Sequence, residues 1–245
     1  MKEIHIVHGD KGGVGKTTLA AAITDYIAEH RGSVAVVEGD LKIRDIARRF
    51  AGVPGVQGIA IDLARPDHSE DAIVALFGAI ESAGAETVVI NTPASASATI
   101  DRQGDILMPA ARDLGYEVFV HWVMGPGDDS ARLAHESLLC SAADRKIAVV
   151  NNALGNLVAW YSHPARYGWV ETGGIETEMP ALSERVMARV RDLPGRYSVL
   201  AAQASAGGLD TISRQALARW VRETWRLAVE PALATVTTTD PATTE

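Results

Sequence analysis

The segment Lys11-Gly12-Gly13-Val14-Gly15-Lys16-Thr17-Thr18 gathers in eight residues the groups needed to hold a polyphosphate. Glycines at 12, 13 and 15 let the backbone wrap an anion closely and turn successive N–H groups toward it. An ammonium at Lys16 would neutralise the outer phosphates, and the Thr17 hydroxyl offers an oxygen ligand to Mg²⁺. The strict G-x-x-x-x-G-K-[S/T] spacing begins with glycine, where this chain has Asp10. Only five of the 23 basic residues are lysines, and two of them, Lys11 and Lys16, lie in this loop. In a chain that otherwise uses arginine, that choice points to a need for a compact ammonium.

A loop of this kind works only between a strand that fixes its start and a helix whose N-terminus faces the anion. Ile4 to His8 reads as that strand, and Leu19, Ala20, Ile23, Ile27 and Ala28 recur at helical spacing behind the loop. Further buried-type strands are predicted at Val34–Glu38, Thr87–Asn91, Glu117–Met124 and Lys146–Val150, with a sixth at Ser198–Ala202. Helices are predicted at Ala72–Ser82, near Ser130–Ala142 and at Thr211–Val229, the last with Ile212, Leu217, Trp220 and Val221 facing inward. Strands alternating with helices imply crossover connections and an α/β fold, a mainly parallel twisted sheet with helices on both faces.

The loop resembles the deviant Walker A signature of the ParA/MinD group of P-loop ATPases (SIMIBI class), defined by a lysine before the two glycines, here Lys11. The resemblance implies ATP and Mg²⁺ as ligands, held by Asp10 to Thr18. It also implies an ATP-dependent homodimer in which Lys11 reaches the partner's nucleotide, and position 10 varies in the family. The second family motif ends the second strand, Val36-Val37-Glu38-Gly39-Asp40, where Asp40 matches the aspartate that positions water and the metal shell. Glu38 stands where another acid is usual. The third motif normally closes in Asp-Thr-Pro; this chain has Asn91-Thr92-Pro93. An amide at 91 keeps an acceptor oxygen but loses the charge, so weaker metal binding and slow turnover are expected. Lys11, Lys16 and Asp40 are therefore the expected catalytic residues, and Thr17, Asp40 and Asn91 the expected metal-side residues. The fifth strand ends in Asn151-Asn152, either of which can read the adenine edge or cap a loop.

Composition narrows the remaining choices. At 245 residues, 47% hydrophobic and 22% charged, the chain suits one α/β domain over residues 1–235, followed by a Thr/Pro/Ala-rich tail at 236–245 expected to be disordered. No apolar run reaches the ~18 residues of a membrane span, and the first strand starts too early to leave room for a signal peptide. The single Cys140 reads as a buried hydrophobe in a reducing, cytoplasmic setting and rules out a four-cysteine cluster shared by two chains. Trp160, Tyr161, Tyr167 and Trp169 read as helix core, with stacking on a base or partner as the alternative. A net charge of −8 argues against coating nucleic acid, yet Glu184 to Arg226 carries eight arginines against four acids. A solvated face is the plain reading of those arginines, and a DNA patch the alternative.

Beyond residue 95 the likeness is looser: Asn151 to Gly155, Met179-Pro180-Ala181-Leu182 and the Trp-containing last helix resemble the plasmid TraL/StbC-type branch. The expected role is an ATP-driven dimer switch in plasmid transfer, mobilisation or stability, working with a partner protein of that machinery. A partition ATPase binding DNA through arginines 185, 189, 214, 219, 222 and 226 is the second expectation. A nucleotide-binding adaptor without hydrolysis, favoured by Asn91, is the third. Membrane targeting is not expected, because no basic amphipathic helix ends the chain.

Overall fold

The computed structural model describes residues 1–64, 68–94, 97–157, 159–203 and 208–234; the expected tail at 236–245 lies outside them. Its elements follow in the order β1 (Lys2–His8), α1 (Lys16–Arg31), β2 (Val34–Glu38), α2 (Asp45–Phe50), β3 (Val56–Ala60), α3 (Ser69–Ala83) and β4 (Thr87–Asn91). Next come α4 (Ser97–Arg102), α5 (Gly104–Asp113), β5 (Tyr116–Val123), α6 (Asp128–Glu136), α7 (Leu138–Ala142) and β6 (Arg145–Asn151). After two 3₁₀ turns, α8 (Ala165–Glu171), β7 (Ile175–Met179), α9 (Glu184–Arg191), α10 (Tyr197–Ala202), α11 (Thr211–Thr224) and α12 (Glu230–Leu233) complete it, with a π-helical turn at Trp225–Val229 before α12.

The seven strands form one sheet in the order β3-β2-β4-β1-β5-β6-β7, and every neighbouring pair is parallel. The central strands are buried along nearly their whole length, as a sheet covered on both faces requires. One face packs Val7, Val36, Val89, Phe119 and Val149 against α1 and the C-terminal helices through Ile23, Leu217 and Trp220. The other packs Ile4, Ile6, Val88, Val118 and Val120 against α3, α5 and α7 through Leu76, Leu107 and Leu139. β1 lies between β4 and β5, so the chain leaves it at the point where neighbouring connections diverge, a crevice open at the carboxyl edge.

Five expectations are corrected, one of them the helix-core reading of Tyr161 and Tyr167, which are exposed. Ser198–Ala202 is not a strand but lies in α10; the carboxylate of Asp25 on α1 takes the Ser198 N–H at 2.7 Å and so caps this helix from outside. The helix expected near Ser130–Ala142 is two helices broken at Ser137, whose hydroxyl caps α7 by accepting from the Cys140 N–H at 3.0 Å. Ile212 is 77% exposed, because Ser213, bonded to the N-cap Asp210, takes the inward place in the first turn of α11. The expected helix at Thr211–Val229 changes to a π turn at Trp225. Leu217, Trp220, Val221 and Cys140 are buried as expected. Of the aromatic quartet, Trp160 and Trp169 are buried and meet edge to face, whereas Tyr161 and Tyr167 are exposed. Two edge strands, β3 and β7, were not expected.

Candidate functional site

The phosphate loop leaves β1 at His8 and bends at once. A Cβ on Gly9 would lie 2.8 Å from the Val123 carbonyl oxygen at the end of β5, so only glycine lets the loop start this close to the sheet. Gly15 is the second such position. Its φ is +109°, and a Cβ there would meet the Asn151 amide nitrogen at 2.6 Å. That amide donates to the Val14 carbonyl at 2.8 Å, while its oxygen accepts from the Ala153 N–H at 3.1 Å. Asn151 thus pins the loop from behind, tying the end of β6 to the start of α1.

Lys16 is buried and turned back over the loop, donating to the carbonyls of Gly9 at 3.2 Å and Lys11 at 2.5 Å. Burial pulls its pKa down to about 8, against a smaller upward pull from Asp10. An ammonium so held lacks a full counter-charge, which an incoming phosphate supplies. The carboxylate of Asp10 accepts from the Ser130 hydroxyl at 2.6 Å, and that hydroxyl accepts from the Gly125 N–H at 2.8 Å. Asp10 therefore joins the loop to α6. Lys11 donates to the Pro126 carbonyl at 3.1 Å and its side chain is 41% exposed, so it stands at the rim.

Beyond the loop, the ends of β2 and β4 bring three polar side chains toward Thr17. Glu38 is fully buried; its carboxylate accepts from the Ile46 N–H at 2.9 Å, the Asp40 N–H at 3.3 Å and the Asn91 amide at 3.3 Å. Burial raises its pKa, with those hydrogen bonds pulling the other way. The same Asn91 amide nitrogen lies 3.4 Å from the Thr17 hydroxyl. Facing Glu38 with its donor leaves Asn91 Oδ1 buried with no hydrogen-bond partner among the described residues. An orphaned acceptor of that kind is costly unless something completes it. Asp40 folds its carboxylate over the following turn, accepting from the N–H groups of Lys42 at 2.9 Å and Ile43 at 3.1 Å.

Two cavities flank the loop. One, of about 380 Å³, is lined by Gly12, Lys16, Thr17, Asp40 and Asn91, among others. The second, of about 700 Å³, is lined by Asn151, Asn152, Leu154, Met179, Pro180 and Trp220, among others. The first has Lys16, Thr17, Asp40 and Asn91 in its wall and suits phosphates; the second sets Leu154, Met179, Pro180 and Trp220 beside Asn151 and Asn152, a mixed wall that suits a base. Asn152 also donates to Glu178 at 3.1 Å. Asp10 to Thr18, Asn91, Asn151 and Asn152 thus fall into one region at the carboxyl edge of the sheet. Among the described residues no cluster of three His, Cys, Asp or Glu side chains can hold a metal alone. The donor set fits Mg²⁺ nonetheless, since that ion takes one or two protein oxygens plus phosphates and keeps its waters. Thr17 Oγ1 would be the direct ligand, and the orphaned Asn91 Oδ1 could accept from a metal-bound water.

Sequence reading left Glu38 without a role, although a charge inside a fully buried strand was its signal. It also passed over Arg191, which no local pattern distinguishes, and which lines both cavities. The C-terminal arginines divide: Arg189 pairs with Asp210 at 2.6 Å and Arg196 with Asp25 at 2.7 Å, whereas Arg219, Arg222 and Arg226 are exposed along one face of α11 and the turn after it. Among the described residues no helix is long and apolar enough to cross a membrane.

No family model matches the chain. It is similar to Protein MobD of Acidithiobacillus ferrooxidans, 25% identical over 226 residues that cover 91% of this chain and 94% of the relative. Among solved structures it is similar to the septum site-determining protein MinD of Pyrococcus horikoshii complexed with Mg-ADP, with TM-score 0.51, 16% identity and coverage of 91% and 96%. The MinC:MinD cell division complex of Aquifex aeolicus gives TM-score 0.51 at 12% identity, covering 92% of this chain and 96% of that one. Over nine tenths of its length, then, this chain has the parallel, helix-flanked fold of a P-loop NTPase.

Proposed function

We propose that the chain is an ATP- and Mg²⁺-binding switch that hydrolyses ATP slowly and pairs with a second copy of itself when ATP is bound. The observation that carries this reading is the buried Lys16, folded over a glycine loop and bonded to two backbone carbonyls, with the Asp10 carboxylate offsetting only part of the cost of its burial. Bound Mg²⁺ would supply charge neutralisation between the phosphates. In the protein, the loop N–H groups and Lys16 would bind phosphate, Thr17 would give an oxygen to the metal and Asn91 would accept from its water, while the buried Glu38 holds the Asn91 amide in place. Asp40 stands at the rim of the cavity, where turning its carboxylate out of the 41–43 turn lets it accept a proton from water. Lys11 is the residue that a partner's nucleotide can recruit, at the loss of one hydrogen bond to Pro126.

Light scattering with ATP·Mg²⁺ or ADP, phosphate release, and the Lys11→Ala and Lys16→Ala variants test the reading together. Binding lost in Lys16→Ala, and ATP-dependent dimers lost in Lys11→Ala with binding retained, are the expected results. A wild-type protein that binds neither nucleotide rejects it. A second reading, an adaptor that binds ATP without turning it over, draws on Asn91, whose neutral amide replaces a carboxylate beside the metal position. Bound ATP with no phosphate release would decide for it.

The process served is proposed from the looser likeness of the second half to plasmid transfer and stability proteins, and from the MobD similarity. A DNA-binding partition role draws on Arg219, Arg222 and Arg226, and steep salt dependence of DNA binding is its signature.

A further inference from the structure

We propose that Arg191 is a phosphate-binding residue of the same chain, reaching the α-phosphate where the nucleotide passes from one cavity to the other. The inference rests on the nucleotide reading above and adds a residue to it. Gly13, Gly15, Thr18 and Arg191 are the residues that line both the 380 Å³ cavity beside Lys16 and the 700 Å³ cavity beside Trp220. A nucleotide with its base in one and its outer phosphates in the other must cross at these four. Three of them belong to the loop. Arg191 faces them from the C-terminal end of α9 and is the one charged side chain at the crossing. A base and ribose are joined to the outer phosphates through the α-phosphate, so that group lies at the junction.

Arg191 is exposed, and its guanidinium makes no hydrogen bond or ion pair with any described residue. Asp45, the other acid in the phosphate-cavity wall beside Asp40, is already taken by Arg48 at 2.8 Å. The backbone carrying Arg191 is fixed, however. Arg49 on α2 donates to the carbonyls of Val190 at 2.7 Å, Arg191 at 3.0 Å and Gly195 at 3.1 Å, and its guanidinium stacks 4.3 Å above the Tyr197 ring. An anchored main chain with an unengaged guanidinium at a phosphate crossing has the makings of a fork for an anion.

The test measures binding of ATP, ADP and adenosine to the full chain, as wild type, Arg191→Ala, Arg191→Lys and Lys16→Ala. Arg191→Ala is expected to weaken ATP and ADP by the same factor, about tenfold, as for one charge-assisted hydrogen bond, and to leave adenosine unchanged. Arg191→Lys should recover part of the loss. The melting temperature of the ligand-free chain should not move, since the side chain holds nothing in it. Equal affinities in wild type and Arg191→Ala overturn the inference and leave the nucleotide site intact. A loss confined to ATP overturns it too, by placing the guanidinium on the γ-phosphate. A wild type that binds no nucleotide fails both readings at once.

Discussion

At Asn91 a single amide serves two neighbours that want different things from it. Its nitrogen lies 3.3 Å from the buried Glu38 carboxylate and 3.4 Å from the Thr17 hydroxyl, and its oxygen has no partner among the described residues. Asn91→Asp would set two carboxylates within hydrogen-bonding distance in a buried place, where one must keep a proton or both repel. The ligand-free variant should therefore be less stable, and adding Glu38→Gln should restore most of the loss, giving a coupling of about 1–3 kcal/mol in urea unfolding. Additive effects across the four proteins would show that the two side chains do not share the site. Lys16 gives a second prediction. Its pKa of about 8 in the free protein is lowered chiefly by burial, and a bound phosphate raises it. Above pH 8 binding must then take up a proton, so ATP affinity should fall about tenfold between pH 7 and pH 9. Calorimetry in two buffers of different ionisation enthalpy reads that uptake directly, and a pH-independent affinity would mean that Lys16 stays charged in the free loop.

Among the elements, α1 carries the loop's last residues at one end and holds the C-terminal helices along its side. Asp25, fully buried in α1, accepts from Arg196 Nε, the Ser198 N–H and the Ser198 hydroxyl, each at 2.7 Å, and Arg196 also pairs with Glu29. Asp25→Ala takes the buried partner from a part-buried guanidinium, which keeps Glu29, and leaves the α10 N-terminus uncapped, a loss of about 2–4 kcal/mol by denaturant unfolding. A cost under about 1 kcal/mol would mean that water replaces the carboxylate freely. The same contact explains what sequence could not foretell. Ser198–Ala202 is a short apolar run, which periodicity cannot divide between strand and helix, and the cap that decides it lies over 170 positions away in the chain. The inner strands β1, β2, β4, β5 and β6 were legible because burial on both faces demands unbroken apolar runs. β3 and β7 were not: Gln57 and Gly58 lie exposed in β3, and in β7 Glu176 and Glu178, half-buried beside Trp160 and Tyr161, break the apolar run on these edge strands. The loop, Asp40 and Asn91 were legible because each sits at a strand end within a local motif. Arg191 was not, since it meets the loop only through the packing of α9.

Across the whole molecule, the sheet interior carries three histidines that the proposed nucleotide site does not use. His5, His8 and His121 are buried, and burial pulls the pKa of each below its usual value, to about 4 for His8. His5 and His121 form a chain with Glu3 and Arg31. If the His5 Nε2 proton goes to Glu3, then His5 Nδ1 accepts from His121, which leaves His121 Nδ1 unpaired as observed. Burial alone would raise the Glu3 carboxyl, yet the hydrogen bonds from His5 and Arg31 outweigh it and hold the group at about 2. The sign of the pH effect follows. Below about pH 6.5 the unfolded chain takes up protons that the folded histidines refuse, so stability falls as pH drops toward 4, by up to about 1.4 kcal/mol per unit for each histidine. Glu3 continues the loss between its usual carboxyl range and 2, while Glu38, raised by burial, opposes it weakly because protonation relieves its desolvation. The urea midpoint should therefore fall only slightly from pH 8 to 7, where Lys16 alone of these groups titrates, and fall steeply from 6.5 to 5. His8→Asn, which keeps a donor for Thr92 at the position now 3.1 Å away, should flatten that slope while lowering stability at pH 7 only modestly. A midpoint that stays level from pH 7 to 5 would mean that the folded sheet accepts these protons, and that its interior is wetter than the packing around Trp122 and Phe119 implies.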